Sequence, residues 1–492
     1  MKYISAALAF FALLGVSSAQ IATITSLVGT VSDSSGRVIA GARITAVNNE
    51  TKDTYNIVTN QDGNYRIDFV KVGTYDVTAE FAGFSRSQHK GSEVTINQIV
   101  RNDFSLVPGT VQESVTVEAS APILKTDDAT ISALVSTKQI ADLPMNGRNV
   151  LMLATTTPGV QPPTKGTQGV PPGQAFVGPG TREIQNSLAL DGISIMNNLI
   201  TTSPSTPMVE TVQEVEVQSG TYSAQYGAYM GVHLNMITKS GTNRIHGNVV
   251  EFIRNDAFDA RGYFLPSTSK KTALRQNQYG FEVDGPVVLP KLYNGKDKTF
   301  FMGSWERMRN KRQQLSANNT IMTEQMFAGN FSQTPTIVND PLNGNAPFTG
   351  NVVPTSRISP IATALRQYYA KPSSPNLISQ NFTTIFPATL TSDQTVDRVD
   401  QNLGDKARLF FRYQRQKQGI ANGSAIPYNA AEVPSLANNY TGGYTQTISP
   451  TMVNDFRIGR QGLATDSVNY FYLNGLADAG TRLGIPGFDA DS

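Results

Sequence analysis

The fold of this chain is decided by residues 212–264, VQEVEVQSGTYSAQYGAYMGVHLNMITKSGTNRIHGNVVEFIRNDAFDARGYF. The stretch begins with a short alternating segment, passes through a turn region rich in tyrosine and glycine, and enters a second apolar segment. A glycine turn then leads into a longer segment that begins near Gly247. Alternation with a period of two residues is typical of β-strands. We therefore predict two short strands followed by a strand of the membrane-barrel type.

The overall composition favours an exported, turn-rich β protein. The 492 residues, enough for about two to four domains, are 16% charged and 39% hydrophobic and include 41 glycines and 26 prolines. This charge content is below the roughly 25% of an ordinary soluble protein. The net charge of +2 provides no long-range attraction to nucleic acid, so no such partner is expected. Because the chain has no cysteine, its stability must come from sheets and their burial.

The N-terminus has the pattern of a secretory signal peptide. Lys2 precedes an apolar run over residues 4–16, and Ser17 and Ala19 supply small side chains at the −3 and −1 positions. We predict that residues 1–19 are removed by cleavage between Ala19 and Gln20. A transmembrane anchor is the alternative, but the run is too short to cross about 30 Å of hydrocarbon.

Residues 20–108 are predicted to form a small β-sandwich. Alternating segments at residues 28–33 and 42–47, with further segments of this kind, give about seven short strands separated by turns. The pattern GTVSDSSGRVIAGARITAVN…TNQDGNYRIDFVKVGTYDVTAEFAGF resembles a carboxypeptidase-regulatory-like domain, which has a carbohydrate-binding-like fold. At residues 62–64 an Asp-Gly turn is expected in preference to a calcium loop, since further acidic ligands are missing.

Residues 123–243 are predicted to form a small α+β domain. Ser136 is placed to cap a short helix that Pro144 ends, and a second short helix is expected over residues 146–153. A later strand ends in the turn Asp191-Gly192. The string LPMNGRNVLMLATTTPGV and the stretch 212–264 resemble the plug domain and first barrel strand of TonB-dependent outer-membrane receptors, in particular the Oar-like branch.

That resemblance implies energised uptake or sensing of an extracellular substrate through a plugged β-barrel. It also implies a partner, the TonB energising complex in the periplasm, and no nucleotide site in this chain. Within a linker over residues 109–122, a short segment resembles the TonB box that receptors present for strand addition. The candidate TonB box consists of Glu113, Ser114, Val115, Thr116, Val117 and Glu118. An ordinary strand is the alternative reading of this segment.

Residues 244–492 alternate in the manner of an Oar-like outer-membrane barrel. One predicted strand carries Tyr279, Phe281 and Val283 on one face and Gln278, Glu282 and Asp284 on the other. Residues 407–414 alternate between apolar and polar side chains in nearly the same way, and Phe410 is the one exception. Such strands turn apolar side chains to lipid and polar ones to a lumen. A large soluble sandwich also alternates, but uneven connections favour the barrel: polar stretches at 316–350 and 369–400, and a tighter turn at 291–298.

The barrel segment is short for a barrel that encloses a plug. The residues from Gly247 onward supply on the order of 10 strands, whereas a plugged lumen corresponds to about 22 strands. We therefore expect the chain to be a fragment of a longer receptor. A truncated product and a small complete barrel are the alternatives.

No catalytic, cofactor-binding or metal-binding residue is predicted. The three histidines, His89, His233 and His246, lack partners at metal-ligand spacing, and the Gly-x-Ser-x-Gly motif of hydrolases is missing from the sequence. The chain is therefore not expected to be an enzyme. Substrate-binding residues cannot be assigned, and siderophore, oligosaccharide and peptide substrates remain open.

A second hypothesis is a secreted or surface carbohydrate-binding or adhesive β protein. It is based on the N-terminal sandwich and the polar loops, but few aromatic side chains of that domain are placed to stack on sugar. The aromatic residues available there are Tyr55, Tyr65, Tyr75 and Phe84. All four are expected in the core, and this hypothesis ranks second.

Overall fold

A computed structural model of the chain describes residues 25–109, 114–118, 131–143, 145–162, 176–197, 203–220, 222, 226, 229–261, 271–422, 431–449, 452–469 and 479–485. The described residues form three β-rich units in sequence order: a sandwich, a small α+β plug and a long antiparallel sheet. The predicted fold class is confirmed.

The sandwich consists of two sheets packed around one apolar core. Its strands in the described residues are β1 (Ser26–Asp33), β2 (Arg43–Asn48), β3 (Thr54–Val58), β4 (Asn64–Asp68), β5 (Gly73–Glu80), β6 (Arg86–Val94), β7 (Ile99–Arg101), β8 (Phe104–Leu106) and β9 (Ser114–Glu118). One sheet has the order β4-β1-β7, with β8 also on β1, and the other has the order β3-β2-β5-β6-β9. Leu27, Val31 and Ile44 lie in the core between them.

The sandwich aromatics lie where they were predicted. Tyr55, Tyr65 and Tyr75 are buried in the core, and the half-buried Phe84 packs against it. None of these four rings is presented as an exposed platform. The turn at Gly63 has a φ of 70° and is a plain turn.

The plug contains a mixed sheet covered by short helices. Its strands in the described residues are β10 (Ser132–Val135), β11 (Ser187–Leu190), β12 (Ile193–Ser194), β13 (Val212–Gln218) and β14 (His233–Thr238), in the order β10-β13-β14-β11-β12. Helix α1 (Thr137–Asp142) follows Ser136, whose side chain forms a capping box with Gln139. The second predicted helix is present as 3-10 turns at Asn146–Arg148 and Val150–Thr156. Further 3-10 turns lie at Glu183–Gln185 and Val209–Thr211.

The third unit is a sheet of long antiparallel strands. The strands described from residue 246 onward are β15 (His246–Asn255), β16 (Leu274–Pro286), β17 (Val288–Leu289), β18 (Tyr293–Asn294), β19 (Thr299–Asn319), β20 (Asn339–Asp340), β21 (Ala346–Pro347), β22 (Phe382–Leu403), β23 (Ala407–Asn422), β24 (Ala431–Ser449), β25 (Met452–Thr465) and β26 (Val468–Asn469). The order is β15-β16-β19-β22-β23-β24-β25, with β26 on β24. Within the described residues, β15 and β25 are the sheet edges and do not pair with each other.

The remaining helices within the described ranges are short. They are α2 (Glu324–Phe327), α3 (Pro360–Leu365), α4 (Ala479–Arg482) and the 3-10 turns Thr349–Asn351, Thr355–Arg357 and Arg366–Tyr368. Across the part of the chain that the structure describes, no helix has the length and apolar character needed to span a bilayer.

The long sheet is polar on its inner face and apolar on its outer face. On β23, Arg412 and Gln414 are fully buried, whereas Phe411 is 52% exposed. On β16, Glu282 is buried and Phe281 is 46% exposed. A water-soluble sandwich would bury the phenylalanines instead, so this inversion is the pattern of strands whose outer face meets lipid. The alternation predicted for both strands is confirmed.

The connections differ between the two ends of the sheet. At one end, β22 joins β23 through residues 404–406, and β16 joins β19 through a stretch with the small hairpin β17–β18, at the tighter turn predicted for 291–298. At the other end, residues 320–381 connect β19 to β22. The predicted loops were wrong at two places, because residues 316–319 continue β19 and residues 382–400 belong to β22. Polar lumen residues and many threonines give β22 the composition of a loop.

Candidate functional site at the plug–barrel interface

Asp191 lies at the tip of the plug turn between β11 and β12. Its φ of 52° and that of Gly192, 77°, close the chain tightly after Leu190. The parallel pairing of β11 with β14 brings Thr238 beside this turn. The Thr238 N–H donates to Asp191 Oδ1 at 2.9 Å, and its hydroxyl lies 2.9 Å from Oδ2. The plug therefore holds this carboxylate in a fixed position.

Two arginines of the long antiparallel sheet, which is called the barrel wall from here on, bind the Asp191 carboxylate. Arg412 Nε donates to Oδ2 at 2.6 Å, and Arg398 Nη1 donates to Oδ1 at 3.1 Å. All three side chains are buried. Burial alone raises the pKa of Asp191, but the two guanidinium groups and Thr238 outweigh it and hold the pKa below its usual value. Asp191 is therefore ionised at neutral pH.

The strand register explains why a plug carboxylate belongs at this point. Arg398 of β22 and Arg412 of β23 are direct cross-strand partners. Like charges opposite each other destabilise a sheet unless a counter-charge lies between them. Arg412 also donates to Thr441 Oγ1 at 2.8 Å, and Arg398 makes two bonds to Asp400, at 2.7 and 3.0 Å. These bonds fix both guanidinium groups toward the plug.

Further contacts extend the interface along the barrel wall. Arg457 Nη1 donates to the Asp191 carbonyl at 3.2 Å, and Gln461 Nε2 donates to the Ile195 carbonyl at 3.1 Å. At Gly459, an added Cβ would lie 2.5 Å from Ile193 Cγ2, so the absence of a side chain allows the plug to approach β25 closely. The plug is thus held by both polar and close steric contacts.

A second polar cluster joins the sandwich to the end of the long sheet where residues 404–406 connect β22 to β23. This end of the sheet is called the barrel rim. Half-buried Lys71 places Nζ 3.5 Å from Asp53 of the sandwich and 3.5 Å from Asp400 of β22. Arg408 Nη2 donates to the Thr54 carbonyl at 3.2 Å, and Asn402 bonds to Asp53. Burial lowers the pKa of Lys71, but the two carboxylates outweigh this and raise it overall. Lys71 is therefore a charged link between the two units.

The sandwich also contacts the plug directly. The Ile96 N–H donates to Glu214 Oε2 at 2.8 Å, and Asn97 Nδ2 donates to Glu216 Oε2 at 2.5 Å. Burial raises the pKa of Glu214 to about 7. One carboxyl of the plug sheet therefore titrates near neutrality at the contact with the sandwich.

Only some of the site residues predicted from the sequence lie within the described residues. Residues Ser114–Glu118 of the candidate TonB box form β9, which pairs in parallel with β6. Glu113, Ala19 and Gln20 lie outside the described residues. The Asp191-Gly192 turn was predicted, but its role was missed, because its arginine partners lie more than 200 residues away. The alternation of residues 407–414 indicated that Arg412 turns inward, but no signal in the sequence indicated Arg398.

The histidines do not come together. His233 is buried against the rings of Tyr222 and Tyr226, and burial lowers its pKa to about 4. His89 packs against Phe104. Within the residues that the structure describes, no group of three His, Asp or Glu side chains is arranged to hold a metal ion.

A long sheet with a polar inner face, against which a small α+β plug packs, defines part of a plugged β-barrel of the outer-membrane class. Comparison with known proteins agrees with this class. Residues 237–492 match the outer membrane beta barrel domain, and the chain belongs to that family. Residues 26–107 match the carboxypeptidase regulatory-like domain. The chain is accordingly an outer-membrane protein.

The individual relatives found by comparison have low sequence identity to this chain. The chain is 24% identical over 326 residues to the TonB-dependent transporter Oar of Myxococcus xanthus, an alignment that covers 63% of this chain and 30% of the transporter. The outer membrane transporter YddB from Escherichia coli has a TM-score of 0.43 at 10% identity, covering 67% of this chain and 38% of that one. The siderophore receptor PirA from Pseudomonas aeruginosa has a TM-score of 0.38 at 14% identity, with coverages of 68% and 41%. The chain thus spans less than a third of the length of its curated relative.

Proposed function

We propose that this chain works as a TonB-dependent outer-membrane receptor, which takes up or senses an extracellular substrate through a plugged barrel. The observation that carries the proposal is the ionic anchor of the plug, in which Asp191 bridges Arg398 and Arg412 of the wall. Such an anchor holds a plug closed and is broken by displacing one carboxylate. The similarity to a TonB-dependent transporter points the same way.

The proposal divides the chain into five parts. Residues 1–19 are a signal peptide cleaved between Ala19 and Gln20, and residues 20–108 are the regulatory-like sandwich. Residues 109–122 are a linker, residues 123–243 are the plug, and residues 244–492 are part of the barrel. This division requires outer-membrane lipid around the outer face of the sheet, where Phe411 and Phe456 are exposed.

Residues 113–118 are proposed as the strand that TonB engages. Residues Ser114–Glu118 already have extended backbone and lie at an edge of their sheet in the described part of the chain. A strand at a sheet edge offers backbone donors and acceptors to an incoming strand. The sandwich would then present the TonB box with one edge paired to β6. The strand from TonB would pair along the other edge or would replace β6.

A binding experiment with proline variants tests this assignment. Successive N–H groups of a strand point to opposite edges, so Val115→Pro and Thr116→Pro each remove the donor facing one edge. Purified TonB periplasmic domain should bind the full chain, and at least one proline should weaken binding about tenfold or more. Val115→Ala and Thr116→Ala, which keep both donors, are the matched controls. Binding unchanged in both proline variants would refute the assignment, and no binding by the unaltered chain would refute TonB dependence.

The carbohydrate-binding alternative is not favoured. Tyr55, Tyr65 and Tyr75 are buried in the sandwich core and cannot stack on a sugar ring. We also infer that the chain is not an enzyme, since its named relatives are transporters and receptors. The proposal holds for any class of extracellular substrate, glycans included.

A further inference from the structure

We propose a function for the N-terminal sandwich: it stabilises the anchored plug from a distance, by neutralising Asp400 through Lys71 so that Arg398 is available to Asp191. This role does not depend on the identity of the substrate or on engagement of TonB. It makes docking of the sandwich and anchoring of the plug two coupled events.

Arg398 is shared between two carboxylates. Its Nη1 lies 3.1 Å from Asp191 Oδ1, while Nε and Nη2 bond to Asp400 at 2.7 and 3.0 Å. Asp400 is itself shared, because Lys71 Nζ lies 3.5 Å from its Oδ1. The four side chains Asp191, Arg398, Asp400 and Lys71 therefore form a line of alternating charge from plug to sandwich.

This sharing creates competition for the arginine. Inside a protein, where the dielectric constant is low, a charge that loses one counter-ion interacts more strongly with the remaining one. If the positive charge of Lys71 is withdrawn, Asp400 must be neutralised by Arg398 more completely. Arg398 then contributes less to Asp191, and the plug depends more heavily on Arg412. The sandwich thus affects Asp191 through Asp400 and Arg398, and this effect requires no contact between Lys71 and Asp191.

The sandwich has other contacts that keep it in place when this charge is removed. Arg408 donates to the Thr54 carbonyl, and its guanidinium lies 3.8 Å from the centre of the Tyr55 ring. Ile96 donates to Glu214 on the plug. A change at Lys71 alone therefore alters the charge line without removing the docking surface.

Hydrogen–deuterium exchange of the full chain in detergent micelles tests the proposal. In Lys71→Met, the peptide containing Asp191 and Ile193 should exchange about five- to tenfold faster, a range typical of coupled sites. Lys71→Arg, which keeps the charge, should exchange as the unaltered chain does. Lys90→Met changes an exposed lysine of the same sandwich and is the matched control. Unchanged exchange at this peptide in Lys71→Met would overturn the proposal.

A double variant separates charge sharing from simple structural damage. Asp400→Asn in the Lys71→Met background removes the carboxylate that competes for Arg398, so exchange should return to within about twofold of the unaltered chain. Damage to the rim would instead make the double variant exchange faster than Lys71→Met, which would contradict the proposal. If Lys71→Met fails to fold, the single variant Asp400→Asn still tests the proposal. The proposal requires that exchange at the Asp191 peptide is slower or unchanged in this variant, and faster exchange would refute it.

Discussion

Arg398 and Arg412 face each other as direct partners across β22 and β23, and both guanidinium groups bond to one carboxylate, that of Asp191 in the plug. The barrel wall thus carries a like-charge pair that the plug neutralises. The wall and the plug are therefore electrostatically complementary at this point. This relationship underlies the first prediction.

Asp191→Asn should loosen the plug without unfolding the barrel sheet. The substitution keeps the side-chain shape but removes the carboxylate partner of buried Arg412 and leaves Arg398 with Asp400 alone. Breaking a buried ion pair in this way costs about 3–5 kcal/mol. Limited proteolysis of the folded protein should then cut within the plug before the barrel. Asp142→Asn, at an exposed carboxylate at the end of α1, is the control and should behave as the unaltered chain does. Equal protease resistance in the two variants would contradict the anchor.

Phe411→Lys should hinder insertion into lipid. Phe411 is 52% exposed on the outer face of β23, between buried Arg412 and inward-turned Phe410. A lysine on the lipid face of a barrel costs about 2–4 kcal/mol near the bilayer midplane. Urea titration of the protein folded into liposomes measures this loss, and Phe411→Leu, which stays apolar, should be nearly neutral. A Phe411→Lys variant as stable as Phe411→Leu would mean that this face meets water.

The contribution of Glu214 to stability should fall as the pH rises toward neutrality. Burial, with help from nearby Glu93 and Glu216, raises the pKa of Glu214 from 4.5 to about 7, so the folded chain keeps a proton that the unfolded chain releases. A raised carboxyl pKa therefore favours the folded state below that pKa and loses this advantage as the pH rises from about 4.5 to about 7. Buried His233, whose pKa is lowered to about 4, acts in the opposite direction over part of this range, so the test is a comparison with a variant. Relative to the unaltered chain, Glu214→Gln should lower the urea midpoint at about pH 5 more than that at about pH 8. Glu50→Gln, at an exposed carboxylate, should not.

Local patterns predicted much of the fold. Ser136 and Gln139 specify the start of α1 through a capping box, and Asp191-Gly192 specifies a tight turn. The alternation around Phe281 and Phe411 indicates which side of each strand faces lipid. These features depend on neighbours within a few residues, which is why they are readable in a single sequence.

The site itself depends on contacts that no local pattern carries. Asp191 meets its arginines only after the barrel sheet has brought β22 and β23 to the plug. Lys71 meets Asp400 across more than 300 residues of chain. Strand β22 was partly assigned to a loop, which hid Arg398 and Asp400 from the prediction. Charged residues in a lumen have the same composition as charged residues on a loop, and only the fold distinguishes them.

An engineered disulfide between plug and barrel tests the account most directly. The Cβ of Ile193 lies 3.5 Å from the position that a Cβ on Gly459 would occupy, within the separation that a disulfide requires. Because the chain has no cysteine, Ile193→Cys with Gly459→Cys introduces a single possible intramolecular pair. We predict that mass spectrometry of the protein from oxidised outer membranes will find these two residues joined. Two free thiols in a folded protein would contradict a plug seated against β25.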